Sequence, residues 1–226
     1  MTNKWFLRRI QIFSKLSDKE LEKFLGILSE KTYKDGEIIF HKDDPGSSLF
    51  ILKSGLVKIS INDKKGNEYI LKIMYPFDFF GEMALLDGQS RSATVTSLEI
   101  STALIIKREH FISLIEKHPQ IALSIMAVLS RRLRKTDEKI GNLRFADAYG
   151  KVAEIILDIA DESGIRNKSG IVLNLKLSRQ GLADFAGVSR ETVTRILNEF
   201  KKSGCIKMEK GKITILNEAM LRRELI

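Results

Sequence analysis

The sequence predicts an α+β chain: a strand-rich N-terminal half, one long helix, and a mainly helical C-terminal third. Two observations carry this prediction. The hydrophobic period changes twice along the chain, and the short apolar runs before residue 107 are separated by turn residues at intervals of about ten positions. From Pro119 no further glycine or proline occurs until Gly141, which leaves room for a helix of about 20 residues or more.

Each element has a local reason. Ser17 can cap a helix over Asp18–Leu28, where Leu21, Phe24, Leu25 and Leu28 fall at helical spacing. From Thr32 to Lys107 the pattern shortens to strands at Ile38–Phe40, Leu49–Leu52, Val57–Ile61 and Tyr69–Ile73. Asp35-Gly36, Pro45-Gly46, Ser54-Gly55 and Lys65-Gly66 punctuate them, and Ser92–Leu98 and Thr102–Ile106 add two more. Such a series fits a sandwich, a barrel or a β-roll. Pro119 suits a first helical position. Along the helix it opens, Ala122, Met126, Leu129, Leu133, Thr136, Ile140 and Leu143 are spaced alternately four and three apart. That heptad seam predicts pairing with a second copy of the chain, with Met126, Leu129, Leu133, Ile140 and Leu143 as its apolar members. Phe145-Ala146-Asp147 is the expected hinge. Helices then follow near Asp147–Ser163 and Arg179–Lys202, with a short strand Gly170–Leu177 between them. Cys205–Met208 and Lys212–Leu216 form a hairpin around Glu209-Lys210-Gly211. The expected domains are 1–118, 119–146 and 147–226.

The 226 residues carry 38 Lys+Arg against 29 Asp+Glu, a net +9. Of that excess, +7 lies in residues 131–226, so the strand-rich half is close to neutral. A basic segment without an amphipathic terminal helix favours nucleic acid over a membrane surface. One cysteine, Cys205, excludes an intrachain disulfide and a Cys-x-x-Cys zinc or iron–sulfur site. Met1–Leu16 mixes short apolar runs with Lys4, Arg8, Arg9 and Lys15, unlike a signal-peptide core. No window approaches 18 uncharged apolar residues, so no membrane span is expected and the chain is read as cytoplasmic. His41, His110 and His118 are scattered, no metal site is expected, and neither a Ser/His/Asp set nor a P-loop can be assembled. The chain is therefore not expected to be an enzyme.

Arg179–Asn198 has the spacing of a helix-turn-helix. Ala183 is small where two helices cross, Gly187 permits a tight turn, and Val193, Ile196 and Leu197 form an inner face. Ser178 and Ser189 can each cap a helix. Arg190, Glu191 and Arg195 then face outward near the start of the second helix. Arginine pairs bidentately with guanine O6 and N7, and glutamate accepts from cytosine N4. Ser178, Arg179, Thr192 and Thr194 are placed for phosphate contacts, and Ser189 is counted with the DNA-binding residues.

Ser189-Arg190-Glu191-Thr192-Val193 with Arg195-Ile196-Leu197 resembles the recognition helix of the cyclic-AMP receptor protein (Crp–Fnr) family. The resemblance extends through Arg131-Arg132-Leu133, Thr136 and Glu138–Leu143, and upstream to Gly81-Glu82 and Arg91-Ser92-Ala93. It implies a cyclic-nucleotide-binding β-roll, a long dimerisation helix and a winged helix-turn-helix on a palindromic TGTGA-like site. Arg190 and Arg195 would read guanines there, and Glu191 a paired cytosine. It also implies double-stranded DNA, a second copy of the chain and RNA polymerase as partners.

Phe80–Val95 contains the candidate ligand cassette. Gly81 offers a bare backbone N–H, Glu82 an acceptor for a ribose hydroxyl, and Arg91, Ser92 and the Ala93 amide donors for a phosphate. Taken alone, these residues also fit a surface glutamate and arginine beside a loop. The resemblance implies that they hold a cyclic nucleotide, cyclic AMP first. It further implies that Arg132 pairs with Glu82, and that Thr136 meets the adenine amino group with its neighbour Asp137. An ionised Asp137 accepts but cannot donate, so it leaves the base open: cyclic GMP, cyclic di-GMP or no small molecule are the alternatives. A regulatory subunit that binds a cyclic nucleotide without DNA is a separate class, which disruption of Arg190, Glu191 and Arg195 would have favoured.

Overall fold

The computed structural model describes residues 4–145, 147–173, 177–209 and 212–225, and over 138–145 it describes the backbone. Two compact units are present: Met1–Ile61 with Lys72–Lys135, and Asn62–Leu71 with Thr136–Ile226.

The first unit opens with α1 (Lys4–Arg9), a 3₁₀ turn (Gln11–Phe13) and α2 (Asp18–Leu25). Ser17 caps α2 through a reciprocal capping box with Glu20. This helix stops at Leu25, earlier than Leu28, because Gly26 follows and the chain turns into β1 (Ser29–Tyr33). The strands β2 (Ile38–Phe40), β3 (Ser48–Ser54), β4 (Val57–Asn62), β5 (Glu68–Met74) and β6 (Phe79–Phe80) follow. Then come α3 (Glu82–Asp87), β7 (Thr94–Ser97), β8 (Ser101–Lys107), α4 (Arg108–Lys117) and α5 (Pro119–Phe145), with Asn62 of β4, the Glu68–Leu71 part of β5 and α5 from Thr136 onward grouping with the second unit.

Two four-stranded sheets result, ordered β1-β8-β3-β6 and β2-β7-β4-β5. Alternation along β3 explains the layers. Phe50 and Leu52 join Tyr33, Val57, Met74, Phe80, Val95 and Ala103 in one core drawn from both sheets. Leu49 and Ile51 point the other way, with Leu104 and Ile106 of β8, and meet Leu7, Phe13, Phe24, Phe111, Ile121 and Ile125 from the helices. Part of this outer helical layer comes from α1 (Phe6, Leu7) and α4 (Phe111, Leu114), two helices that the sequence pattern does not predict.

The long helix starts at Pro119 as predicted and continues through Gly141. Ile121 and Ile125 are buried, whereas Met126 and Leu133 are exposed. Leu129 is half-buried against the helical-layer core, so it does not belong to the outward stripe alone. The seam members Ile140 and Leu143 have side chains outside the described set, and Ala146 of the expected hinge also lies outside the described residues.

The second unit contains α6 (Ala148–Ser163), β9 (Ile165–Asn167), β10 (Gly170–Leu173), α7 (Arg179–Ala186), α8 (Arg190–Lys202), β11 (Ile206–Glu209), β12 (Lys212–Ile215) and α9 (Glu218–Arg223). Its sheet is ordered β11-β12-β10-β9, all antiparallel. The strand expected to reach Leu177 ends at Leu173, and 174–176 lie outside the described residues, as do Lys210 and Gly211 of the hairpin turn. Among the described residues no single helix is long and apolar enough to cross a membrane.

Candidate functional site

In the first unit, Gly81 and Glu82 sit at the junction of β6 and α3, and Arg91 to Ala93 lead into β7. Gly81 has φ +78, and a Cβ there would stand 2.6 Å from Arg91 Nη1. Glycine therefore supplies both the left-handed backbone and the space for the guanidinium. Arg91 is 4% exposed. Its Nη1 donates to the Gly81 carbonyl and its Nη2 to the Ser48 carbonyl, each at 2.8 Å. Its Cζ lies 4.3 Å from the Phe40 ring centroid and 5.6 Å from that of Phe50.

That environment leaves the charge incompletely answered. Both hydrogen-bond partners are neutral carbonyls, and the buried Nε has no hydrogen-bond partner among the described residues. Burial pushes the guanidinium below its ordinary range, while Asp44 and Glu82 act in the opposite sense at longer reach. Arginine nonetheless stays protonated. A buried cation with a spare donor is the chemistry of an anion site.

Glu82 is also buried. Arg132 reaches it from α5: its Nη1 donates to Glu82 Oε1 at 2.7 Å and its Nη2 to the Phe79 carbonyl at 2.6 Å. The Arg132 Cζ also lies 4.6 Å from the Phe79 ring centroid. The pairing named from family resemblance is thus present, and it fixes one carboxylate oxygen. Ala93 is buried beside Arg91, and Ser92 is exposed with its Oγ 3.6 Å from Met83 Sδ. Gly81, Glu82, Arg91, Ser92, Ala93 and Arg132 therefore fall in one unit and present a cation, a carboxylate and small donors together. Thr136 and Asp137 lie further along α5 and are exposed.

In the second unit, α7 and α8 form the helix-turn-helix. Gly187 ends α7 at φ +62, the left-handed conformation required of it. Ser178 Oγ accepts from Gly181 N, and Ser189 Oγ accepts from Thr192 N, so both caps are made. Ala183 is fully buried, as are Val193, Ile196 and Leu197. Arg190, Glu191, Thr194 and Arg195 are exposed, and Thr192 is partly so. The Glu191 carboxyl is held below its ordinary range by its own backbone N–H at the helix start and by the Ser189 hydroxyl.

Several predicted contacts have internal partners. Thr192 Oγ1 pairs with Ser189 Oγ at 3.0 Å, and Thr194 Oγ1 donates to the Arg190 carbonyl at 2.8 Å. Arg179 is half-buried, its Nη2 3.1 Å from Met208 Sδ. Arg195 is engaged by two residues that sequence reasoning missed. Its Nη1 lies 3.0 Å from the Tyr149 hydroxyl and 3.4 Å from Glu199 Oε1. The i,i+4 spacing of Arg195 and Glu199 was a usable signal, whereas nothing in the sequence marked Tyr149. Among the described residues no group of three or more metal-ligating side chains could hold a metal ion.

Residues 30–118 match the cyclic nucleotide-binding domain family, and residues 150–224 the Crp-like helix-turn-helix domain family. The chain is 31% identical over 217 residues to a CRP-like cAMP-activated global transcriptional regulator of Mycobacterium tuberculosis, covering 96% of this chain and 97% of the relative. It is 32% identical over 202 residues to the cAMP-activated global transcriptional regulator CRP of Escherichia coli, covering 88% and 95%. A solved structure of the c-di-GMP responsive global regulator CLP of Xanthomonas campestris superposes with a TM-score of 0.75 at 25% identity, covering 88% of this chain and 99% of that one. An anion-ready β domain, an exposed recognition helix and likeness over nearly the whole length meet in one conclusion: the chain belongs to the Crp–Fnr family of cyclic-nucleotide-binding, DNA-binding transcription regulators.

Proposed function

We propose that this regulator is a cytoplasmic homodimer gated by cyclic AMP, which it converts into binding of a palindromic TGTGA-like site. The observation that carries the reading is Arg91: a buried guanidinium with two of its five N–H groups bonded to carbonyls and an Nε that has no partner among the described residues, beside a carboxylate paired with Arg132. A cyclic phosphate supplies the missing negative charge, and a ribose hydroxyl donates to Glu82. Ser92 and the Ala93 amide add donors to the phosphate, and Gly81 contributes its backbone. Thr136 and Asp137 take the role of base contact that family resemblance implies.

In this reading 1–118 senses the nucleotide, 119–146 dimerises and 147–226 binds DNA. Met126 and Leu133 supply an exposed apolar stripe suited to a second copy of the same helix. Arg190, Glu191 and Arg195 contact base edges, with Arg179, Ser189, Thr192 and Thr194 toward phosphates. RNA polymerase is the partner downstream. The ligand acts by its different affinities for two arrangements of the dimer.

The test is calorimetric titration of the full chain with cyclic AMP, cyclic GMP and cyclic di-GMP, followed by DNA binding with each. Cyclic AMP is expected to bind tightest and to raise affinity for a duplex carrying the TGTGA palindrome. A preference for either guanine nucleotide would overturn the effector assignment. Binding of none would overturn the pocket.

A further inference from the structure

Among the described residues, Arg195 is the one outward residue at the start of α8 whose side chain is gripped from a different helix. Tyr149 stands in the first turn of α6, and its own placement is fixed twice. Asp147 caps α6, its carboxylate accepting from Tyr149 N at 2.8 Å and Gly150 N at 3.0 Å. The Tyr149 ring meets the buried Phe200 of α8 edge-on, with centroids 6.1 Å apart. Its hydroxyl donates to Glu199 Oε2. A phenol has a single proton, so with that proton committed its lone pairs face Arg195 Nη1, which donates to it at 3.0 Å. The Arg195 Cζ also lies 5.6 Å from the Tyr149 ring centroid.

This grip takes only one side of the guanidinium. Nε and Nη2 make no hydrogen bond among the described residues, and the Arg195 side chain is 56% exposed. Nε–H and Nη2–H form a complete two-donor fork, the shape that matches guanine O6 and N7. Holding Nη1 therefore does not compete with base reading; it removes rotamers in which the fork points elsewhere.

We infer that Tyr149 is a specificity-determining positioning residue, whose hydroxyl, oriented by Glu199, pre-aims Arg195 at one guanine of each half-site. The inference rests on the proposed base-reading role of Arg195. Each staggered side-chain torsion frozen in advance is worth up to about a threefold gain. Fixing one or two of them predicts about a three- to ninefold contribution to discrimination at that base pair.

The experiment uses the full chain with cyclic AMP. Duplexes are first selected by the wild-type protein from a randomised pool, and each base pair of the selected site is then varied singly. Arg195→Ala should flatten the preference at one base pair per half-site by about tenfold or more. Tyr149→Phe keeps the ring and the net charge and loses only the hydroxyl. It should reduce preference at that same base pair about three- to ninefold, leaving other positions, the salt dependence and the melting temperature as in wild type. If Tyr149→Phe leaves the profile unchanged, or weakens all sequences equally, while Arg195→Ala flattens it, the positioning role is overturned and base reading stands. If Arg195→Ala leaves every preference intact, or the wild type selects no sequence, base reading itself fails and the inference falls with it.

Discussion

At the scale of single residues, two positions hold unfavourable states that their surroundings over-determine. Arg91 is a buried cation answered by carbonyls, so its removal should affect ligand far more than fold. Arg91→Leu forfeits at least two charge-assisted hydrogen bonds to a phosphate, each worth about 1.5–3 kcal/mol, so cyclic-nucleotide affinity should fall at least about 100-fold. Stability should move by less than about 2 kcal/mol, because losing a buried charge offsets the two carbonyls left without donors. Calorimetry and thermal melting on the same sample check both halves, and unchanged ligand affinity would remove Arg91 from the pocket. Phe77 is the second case. It has φ +79, a conformation costing a residue with a side chain about 1–2 kcal/mol. Its ring is held by Phe6 at 4.9 Å and by the Arg9 guanidinium at 4.4 Å. Phe77→Ala loses those contacts and keeps the strain, whereas Phe77→Gly loses the contacts and releases it. The glycine variant should therefore melt higher than the alanine variant, the reverse of the usual order. The cassette at Gly81–Glu82 and Arg91–Ala93 was legible because its residues are close in sequence. The Arg132–Glu82 pair joins positions fifty apart, and only resemblance suggested it; Tyr149 had no neighbour in sequence to announce its partner.

At the scale of elements, what was legible followed from period and punctuation. Ser17, Ser178 and Ser189 each precede a periodic segment, and each caps a helix. Long alternating runs such as Val57–Asn62 gave their strands directly. Elements too short to repeat their period did not: α1 and α9 have six residues each, less than two helical turns, and β6 has two. Lys4–Arg9 becomes a helix because Phe6 and Leu7 are buried in a core completed by distant residues, which no local window can see. Two predictions belong here. Ser189→Ala removes the acceptor for Thr192 N at the start of α8 and should cost about 1 kcal/mol of stability in the second unit. Glycine at the same site should cost less, and equal losses for both would mean the cap carries nothing. On α5, Leu133 is 62% exposed in the single chain, while Ile121 and Ile125 face the core. Leu133→Glu places like charges across the expected seam and should weaken self-association by about tenfold or more. Sedimentation over a concentration series checks it, with unchanged melting of the strand domain as control. A variant that sediments like wild type would exclude this face from the dimer.

At the scale of the whole molecule, the net charge of +9 acquires a direction. Residues 131–226 hold +7 of it, while the strand-rich part is nearly balanced. The two ligands should therefore respond to salt very differently. DNA binding neutralises phosphates and releases condensed counterions, so affinity falls with a log–log slope near −0.9 per phosphate contacted. A dimer whose two recognition helices and flanking residues meet six to ten phosphates should show a slope of about −5 to −9. A cyclic nucleotide brings one negative charge into a site where Arg91 is buried, and bulk ions screen buried pairs weakly. Its slope should be about −1 or shallower. Raising salt from 50 to 200 mM should thus release DNA by about three orders of magnitude or more while leaving the nucleotide bound. The occupied dimer could then be held in solution, off DNA, by salt alone. Fluorescence anisotropy of a labelled duplex and calorimetry of the nucleotide, across one salt series, measure both slopes. Comparable slopes would mean either that the nucleotide is held by exposed charges instead of Arg91, or that the C-terminal excess does not face DNA. Arg91→Leu separates those two: it should weaken the nucleotide at every salt concentration if Arg91 holds it, and leave nucleotide affinity unchanged if exposed charges do.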